Sequence, residues 1–383
     1  MAWVGSSQLL ELKFLSLFIN MGMDVRKLVR KVLSESFSNL NEIDWEGEFS
    51  DVKQTCVDPK EVADYLNRVK ANADLKTADR EKFKADKPFV HAKSSFFKPG
   101  EVEVDVDYFI ERMTTPPNNI INTNEKILHS GGPHEYVFKT GIPAFRGIVY
   151  DEDKGTFHYI NTCPGAGSCV IICYALKGRY IQYPGSYDSM TRRLNYLLNH
   201  PDKYQNQLYN ELKAKAEEFK AFKGYKSKVV LRWNDSGDFF TKRYVKMAEE
   251  VMSRLSEEGY NVEGYAYTKV ADVAKTSDID ATFSAGANKG MEKQIDMDKQ
   301  KTSLVVPKKL FADLNLMKLD DEQELKNRVS DFFGLDKNDV ITYDELMSTP
   351  KGDVKKWNVI VTPGDGDDAA FRPDVQKILL TQH

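Results

Sequence analysis

Apolar positions change their spacing part-way along the chain, and the change divides it in two. Up to residue 124 the pattern is helical and charged: Leu28, Val29, Val32 and Leu33 share a face, and Val62, Tyr65, Leu66 and Val69 repeat it after Asp58-Pro59. From Val102 to Asp107 valine alternates with acidic residues, which predicts a short edge strand; Thr114-Thr115-Pro116-Pro117-Asn118-Asn119 then reads as a loop and a soft domain boundary. Beyond residue 125, short apolar runs alternate with amphipathic segments, the pattern of strand-helix units around a parallel sheet. Lys228 to Trp233 reads as a buried strand. Thr241 to Glu258 reads as a helix with Val245, Ala248, Met252 and Leu255 on one face. Val262 to Tyr267 is the next strand, Ala271 to Lys275 a helix, and Ala281 to Ser284 a further strand.

The expected fold is therefore α/β, a TIM-barrel-like parallel strand-helix core preceded by a helical N-terminal region. In such sheets ligands sit beyond the carboxyl ends of the strands, here Asn234 to Phe240 and Thr268-Lys269. The charged stretch 296–350, helical over Asp320 to Val340, reads as an insertion, after which Trp357 to Thr362 returns as a strand. Residues 1–23 hold Leu9, Leu10, Leu12, Phe14, Leu15, Leu17, Phe18 and Ile19, but Glu11 and Lys13 interrupt the run. That segment is expected to be an amphipathic helix or a non-native leader, with a later start at Met21 or Met23. The division is then 1–23, a helical region 24–124 and a catalytic domain 125–383.

With 383 residues, 41% of them hydrophobic, the chain can bury a sizeable core. The net charge of -4, from 54 basic and 58 acidic residues, excludes a global cationic field for nucleic acid and leaves only a local patch. Three of the four cysteines fall between Cys163 and Cys173, with Cys56 alone; this makes no disulfide framework and suits a reducing cytoplasm.

Closely spaced thiols are what a soft metal requires, and Pro164, Gly165 and Gly167 let the chain bend around one ion or cluster. Two completions fit the spacing. In one, His200 joins Cys163, Cys169 and Cys173 on zinc, although Asn199-His200-Pro201 equally reads as a helix stop. In the other, three thiolates hold a 4Fe-4S cluster whose free iron takes S-adenosylmethionine, although the spacing departs from the usual radical pattern. Asp235 and Asp238, with Ser236 and Gly237 between them, offer acid/base groups or a substrate clamp at a strand end; helix capping is the plain alternative. Asp367 and Asp368, in the turn 364–368, suit a cation or polar substrate, or simply a solvated turn. Tyr267 and Lys269 end a strand where a phosphate would meet them, and Asn288 lies in a small-residue loop beside them. Arg193 and Asn195 follow the cysteine loop on a helix that is either a solvated face or a phosphate track with Tyr180, Tyr183 and Tyr187.

Together these motifs resemble a bacteriophage family known as the gene product eighty-eight type, first seen in mycobacteriophages. The resemblance rests on Thr162-Cys163-Pro164-Gly165-Ala166 with Cys169 and Cys173-Tyr174-Ala175, on Arg193 and Asn195, and on Asp235-Ser236-Gly237-Asp238-Phe239. It continues in Tyr265-Ala266-Tyr267-Thr268-Lys269 and in Asp367-Asp368-Ala369-Ala370 with Arg372, Asp374 and His383. It implies action in the cytoplasm of an infected host, and no particular reaction. The Asp235 turn is also similar to the Asp-Ser-Gly-Gly-Phe turn of queuine tRNA-ribosyltransferases, whose phage relatives insert 7-deazaguanines into DNA. That similarity implies Asp235 as the base-binding acid/base and the cysteines plus His200 as a structural zinc set, although Asp238 replaces a glycine. The leading expectation is thus a zinc transglycosylase exchanging guanine for a deazaguanine base in DNA. The alternatives are an iron-sulfur radical enzyme and a non-catalytic zinc module binding host protein or nucleic acid.

Overall fold

The computed structural model describes residues 54–71, 87–124, 127, 130–176, 179–306, 321–350, 355–362, 365 and 368–381. The expected leader, the Leu28–Leu33 helix, Asp367 and His383 lie outside them. The main sheet has eight strands, all parallel, in the order β2-β5-β6-β7-β8-β11-β10-β9. Its first half is β2 (Glu135–Lys139), β5 (Lys228–Trp233), β6 (Val262–Thr268) and β7 (Asp280–Ser284). Its second half is β8 (Thr302–Val306), β9 (Val340–Thr342), β10 (Trp357–Val361) and β11 (Val375–Thr381).

Both faces of the sheet bury apolar side chains, so strands such as Lys228–Trp233 and Trp357–Val361 read as largely hydrophobic runs. On the outer face Val229, Leu231, Trp233 and Ala266 pack with residues of α3 (Pro184–Asn199), α4 (Pro201–Lys223) and α5 (Lys242–Glu257). On the inner face Val137, Val230 and Tyr265 of the first strands share one core with Val359, Val361 and Ile378 of the last and with Ala369 and Ala370. The expected α/β core of parallel strands and helices is present, consistent with a TIM-barrel-like arrangement. Among the described residues β2 and β9 remain two separate edges.

Three segments depart from the expected pattern. Val102 to Asp107 is no strand: Asp105 accepts from the Tyr108 N–H (3.0 Å) and caps the helix α2 (Val106–Thr114), while Val102 is exposed. Alternating valine and acid here reflects a capping carboxylate beside an irregular turn, not a pleat. The stretch 296–350 is not a peripheral insertion, because it supplies β8 and β9, and β8 joins the two halves of the sheet. Finally, β1 (Gln54–Val57) pairs antiparallel with β4 (Thr156–Asn161), which pairs with β3 (Arg146–Asp151). This small sheet packs on α1 (Pro59–Ala71) and α2 around Val57, Val62, Phe109 and Phe157, so one core spans the expected boundary at residue 124.

Candidate metal centre and strand-end site

The three cysteines lie on a loop pinned across the carboxyl ends of the parallel strands. Ala166 bridges to Ala287, the Cys169 N–H donates to the Gly286 carbonyl (3.2 Å), and the Asn288 N–H donates to the Gly165 carbonyl (2.9 Å). A Cβ on Gly165 would overlap the Lys269 backbone, and one on Gly167 would overlap Ala287. Glycine is therefore required here for close approach, not for backbone freedom.

The thiols are related by charge as well as by the loop. Burial first, then the Asp238 carboxylate, pushes the Cys163 thiol well above its ordinary range; Cys169 and Cys173 add to the effect. Cys173 is raised by burial and by Cys169, against backbone N–H groups of Leu176 and Ala175 and the Lys269 ammonium. Cys163 Sγ likewise accepts the Phe145 N–H at 3.2 Å, and Phe145 holds a positive φ of 65°. Thiols crowded in this way stay protonated until a cation replaces their protons, and N–H groups aimed at sulfur stabilise the resulting thiolates. Among the described residues no three His, Cys, Asp or Glu side chains are gathered around a single-ion position.

His200 is not brought to this loop. Tyr187, near the start of α3, lies within electrostatic reach of Cys163 and Cys173. His200 caps the far end of that helix, thirteen residues on, about 20 Å at the rise of an α-helix. Its Nε2 faces Glu152 Oε2 at 3.2 Å and its ring lies edge-on to Tyr196. The helix-stop alternative describes it.

Beside the loop the β5–α5 turn holds both aspartates. Asn234 and Gly237 have positive φ (51° and 80°), and a Cβ on Gly237 would overlap Ile142, so the turn folds sharply against the segment after β2. Asp235 is buried and paired with Lys139 from the end of β2 and with Arg232 (3.3 Å). The Tyr180 hydroxyl donates to its carboxylate, and the Tyr174 hydroxyl donates to its backbone carbonyl. Burial opposes ionisation of Asp235, but the Arg232 and Lys139 charges outweigh it and hold the carboxyl below its usual range. Asp238 is raised, chiefly by burial, although it accepts from the Lys269 N–H (2.8 Å), Thr268 hydroxyl (2.7 Å) and Phe239 N–H (2.8 Å). Asp235 is thus held ionised by its two cations, while Asp238 ties the β5 turn to β6. Arg232 stacks over the Tyr267 ring (5.3 Å) on the inner face. Ser236 is buried, its hydroxyl without a hydrogen-bond partner.

The remaining expected residues serve the scaffold. Asn288 accepts from the Met291 N–H (3.0 Å) and donates to the Pro164 carbonyl (3.2 Å), holding the cysteine loop. Arg193 is buried and donates to the carbonyls of Asn119 and Gly141. Asn195 accepts from the Tyr150 N–H (3.0 Å) and donates to the Ile148 carbonyl (3.0 Å), fastening β3 to α3. A phosphate track along α3 is not what these two side chains form. Asp368 begins a helical turn, Asp368–Phe371, whose Ala369 and Ala370 join the inner core. Lys139 and Arg232 are not singled out by the sequence, where Tyr180 stands only as a face for unpaired bases and Tyr174 only as part of the cysteine motif; none of the four is expected there as a partner of Asp235.

Residues 120–347 match the family description Gene product 88. The chain belongs to the gene product 88 family. The match takes in the cysteine loop, the Asp235 turn and Lys269 of this gene product 88 protein, and the Asp367-Asp368 motif lies beyond it. No curated protein and no solved structure matches the chain, so the queuine-type likeness has no support there. No described helix is long and apolar enough to cross a membrane.

Proposed function

We propose that this chain is a metalloenzyme in which Cys163, Cys169 and Cys173 hold an iron-sulfur cluster with one open coordination position, and that S-adenosylmethionine binds there for modification of nucleic-acid bases. The observation that carries this reading is the donor set. Three thiols share one loop over the strand ends, backbone N–H groups face two of them, and His200 stands about 20 Å along α3 from Tyr187, the residue of that helix within electrostatic reach of Cys163 and Cys173. A closed zinc site needs a fourth protein ligand, whereas an open position is what a catalytic centre keeps. Such a cluster, when bound, supplies single electrons for cleaving a sulfonium.

The chain's own residues would do the rest. Lys139, Arg232 and Asp235 form a fixed dipolar array next to the loop, and Tyr174, directly after Cys173, links the two. Tyr174 and Tyr183 are exposed and offer flat faces for an unstacked base. A second reading, guanine exchange with zinc, draws on Asp235, which is an ionised carboxylate at a strand end as base exchange demands. Its carboxylate is, however, engaged by two cations and a phenol.

The test is iron, zinc and acid-labile sulfide analysis, with an absorption spectrum, on protein purified without oxygen. About four irons with sulfide and a brown colour are expected, lost on Cys163→Ser, with S-adenosylmethionine cleavage to follow. Zinc with no visible band would sink this reading and direct base-exchange assays at Asp235.

A further inference from the structure

Lys269 follows β6 directly beneath the cysteine loop, and its charge has no carboxylate partner within ion-pair distance among the described residues. Its Nζ donates to Ser284 Oγ (2.7 Å) and to the carbonyls of Ser284 and Ala285 (both 3.2 Å), all neutral acceptors. Asp238 is the nearby acid, but it binds the Lys269 backbone N–H and is filled by two further donors. Asp238 acts on the Lys269 charge only through space, and a half-buried ammonium whose direct acceptors are all neutral is an unfinished electrostatic arrangement.

The strands next to it carry hydroxyls in the same condition. Ser284 on β7 is level with Ser303 on β8, and Ser303 is level with Ile378, a residue of the inner core. Paired residues of adjacent strands project to the same face, and so do residues two apart. Ser284, Ser303 and Thr282 therefore share the inner face. Thr282 and Ser303 are 0% and 1% exposed, and neither hydroxyl has a hydrogen-bond partner. Buried hydroxyls are ordinarily satisfied.

We propose that Lys269, Ser284, Ser303 and Thr282 form an oxyanion subsite, and that the molecule processed at the cysteine loop carries a phosphate or carboxylate group held there. An oxyanion supplies both missing elements, a counter-charge in direct contact with the ammonium and acceptors for the hydroxyls. The subsite deepens the proposed function and rests on it only for what the anion is presented to. It limits substrates or cosubstrates to anionic ones and sets their orientation, because the Lys269 ammonium also lies within electrostatic reach of Cys173.

The experiment is calorimetric titration of the full chain with inorganic phosphate and, separately, acetate, at ionic strength fixed with chloride. Iron and sulfide are assayed in the same samples. One of the two anions is expected to bind in preference to chloride, and the stronger identifies the phosphate or carboxylate source. Binding should weaken about tenfold or more in Lys269→Met, about threefold in Ser303→Ala, and little in Lys269→Arg. Circular dichroism of each variant without anion checks its folding, and Ser303→Ala remains the test if Lys269→Met does not fold. Equal binding by wild type and Lys269→Met, or no binding beyond chloride, overturns the subsite. Binding by protein that lacks iron would keep the subsite and remove the cluster, and the reverse result would do the opposite.

Discussion

Replacing Asp235 with asparagine takes one negative charge from between two cations that are largely shielded from water. The side chains of Lys139 and Arg232 are 12% and 9% exposed, and that of Asp235 is 5% exposed. Breaking a buried ion pair by removing one partner costs about 3–5 kcal/mol, because the other charge stays behind. Lys139 keeps the Tyr180 hydroxyl at 3.1 Å and Arg232 keeps the Tyr267 ring at 5.3 Å, which softens the loss. The expectation is therefore the low end, about 3 kcal/mol, or roughly a hundredfold in the folding constant. The pH dependence follows from the direction of the shift. Burial works against the Asp235 carboxylate, but Arg232 and Lys139 prevail, so its folded pKa lies below the unfolded one. Its contribution is then complete above the unfolded value, about 3.9, and is lost as pH falls through the folded value. Urea unfolding followed by tryptophan fluorescence, at pH 7 and in acid, measures both effects. Adding Lys139→Met to Asp235→Asn should restore about 1 kcal/mol or more, since it removes a stranded charge. A loss below about 1 kcal/mol at pH 7 would place the pair among surface-like bridges and refute the buried-cluster account.

Other perturbations separate scaffold from centre. His200→Gln should leave iron, zinc and sulfide content unchanged and shift stability by no more than about 0.5 kcal/mol, since its Glu152 contact is partly exposed; loss of metal would restore His200 as a ligand. Gly167→Ala should lift the cysteine loop from Ala287, lowering metal content and costing about 1–3 kcal/mol, as read by metal analysis and thermal unfolding. Asp238→Asn should change the pH profile in the opposite sense to Asp235→Asn. Burial raises the folded pKa of Asp238 above its unfolded value, so its contribution is full in acid and declines as pH rises through the folded value. Thermal midpoints of wild type and variant across the acid range should therefore converge upward in pH, and a gap that widens would contradict the raised value.

The parts of the fold that were legible in the chain are those whose packing matches their local period. Lys228–Trp233, Lys242–Glu257 and Val262–Thr268 fall where apolar spacing placed them, because a doubly buried strand and an amphipathic helix have distinct patterns. β8 escaped because five residues, Thr302–Val306, sit in charged surroundings, and their burial comes from β11, more than seventy positions later. No local window contains that partner. β1 escaped for the same reason, since it is completed by β4 about a hundred residues on. The cysteine loop and the Asp235 turn were legible because their chemistry is compressed into short motifs. Asn288, Arg193 and Asn195 were equally conspicuous, yet their polar atoms close backbone gaps inside the molecule. A polar residue type is the same whether it satisfies a carbonyl or a ligand.

Lys139 and Arg232 illustrate the converse. Each is a cation at the carboxyl end of a parallel strand, and each looks in sequence like a solvated strand end. β2 and β5 are neighbours in the sheet, so both cations fall at one rim, and the Asp235 turn meets them there where water is scarce. The strand register likewise sets Ser303 beside Ser284, which accepts from Lys269. The site is therefore a product of topology: parallel strands deliver their terminal side chains to one rim, and the cysteine loop covers that rim because Gly165 and Gly167 leave room for it. Under the proposed function the metal ligands would come from one short loop and the polar groups from the ends of five strands. Substitutions in the loop should therefore abolish the centre outright, whereas substitutions at the strand ends should grade its affinity for what it binds.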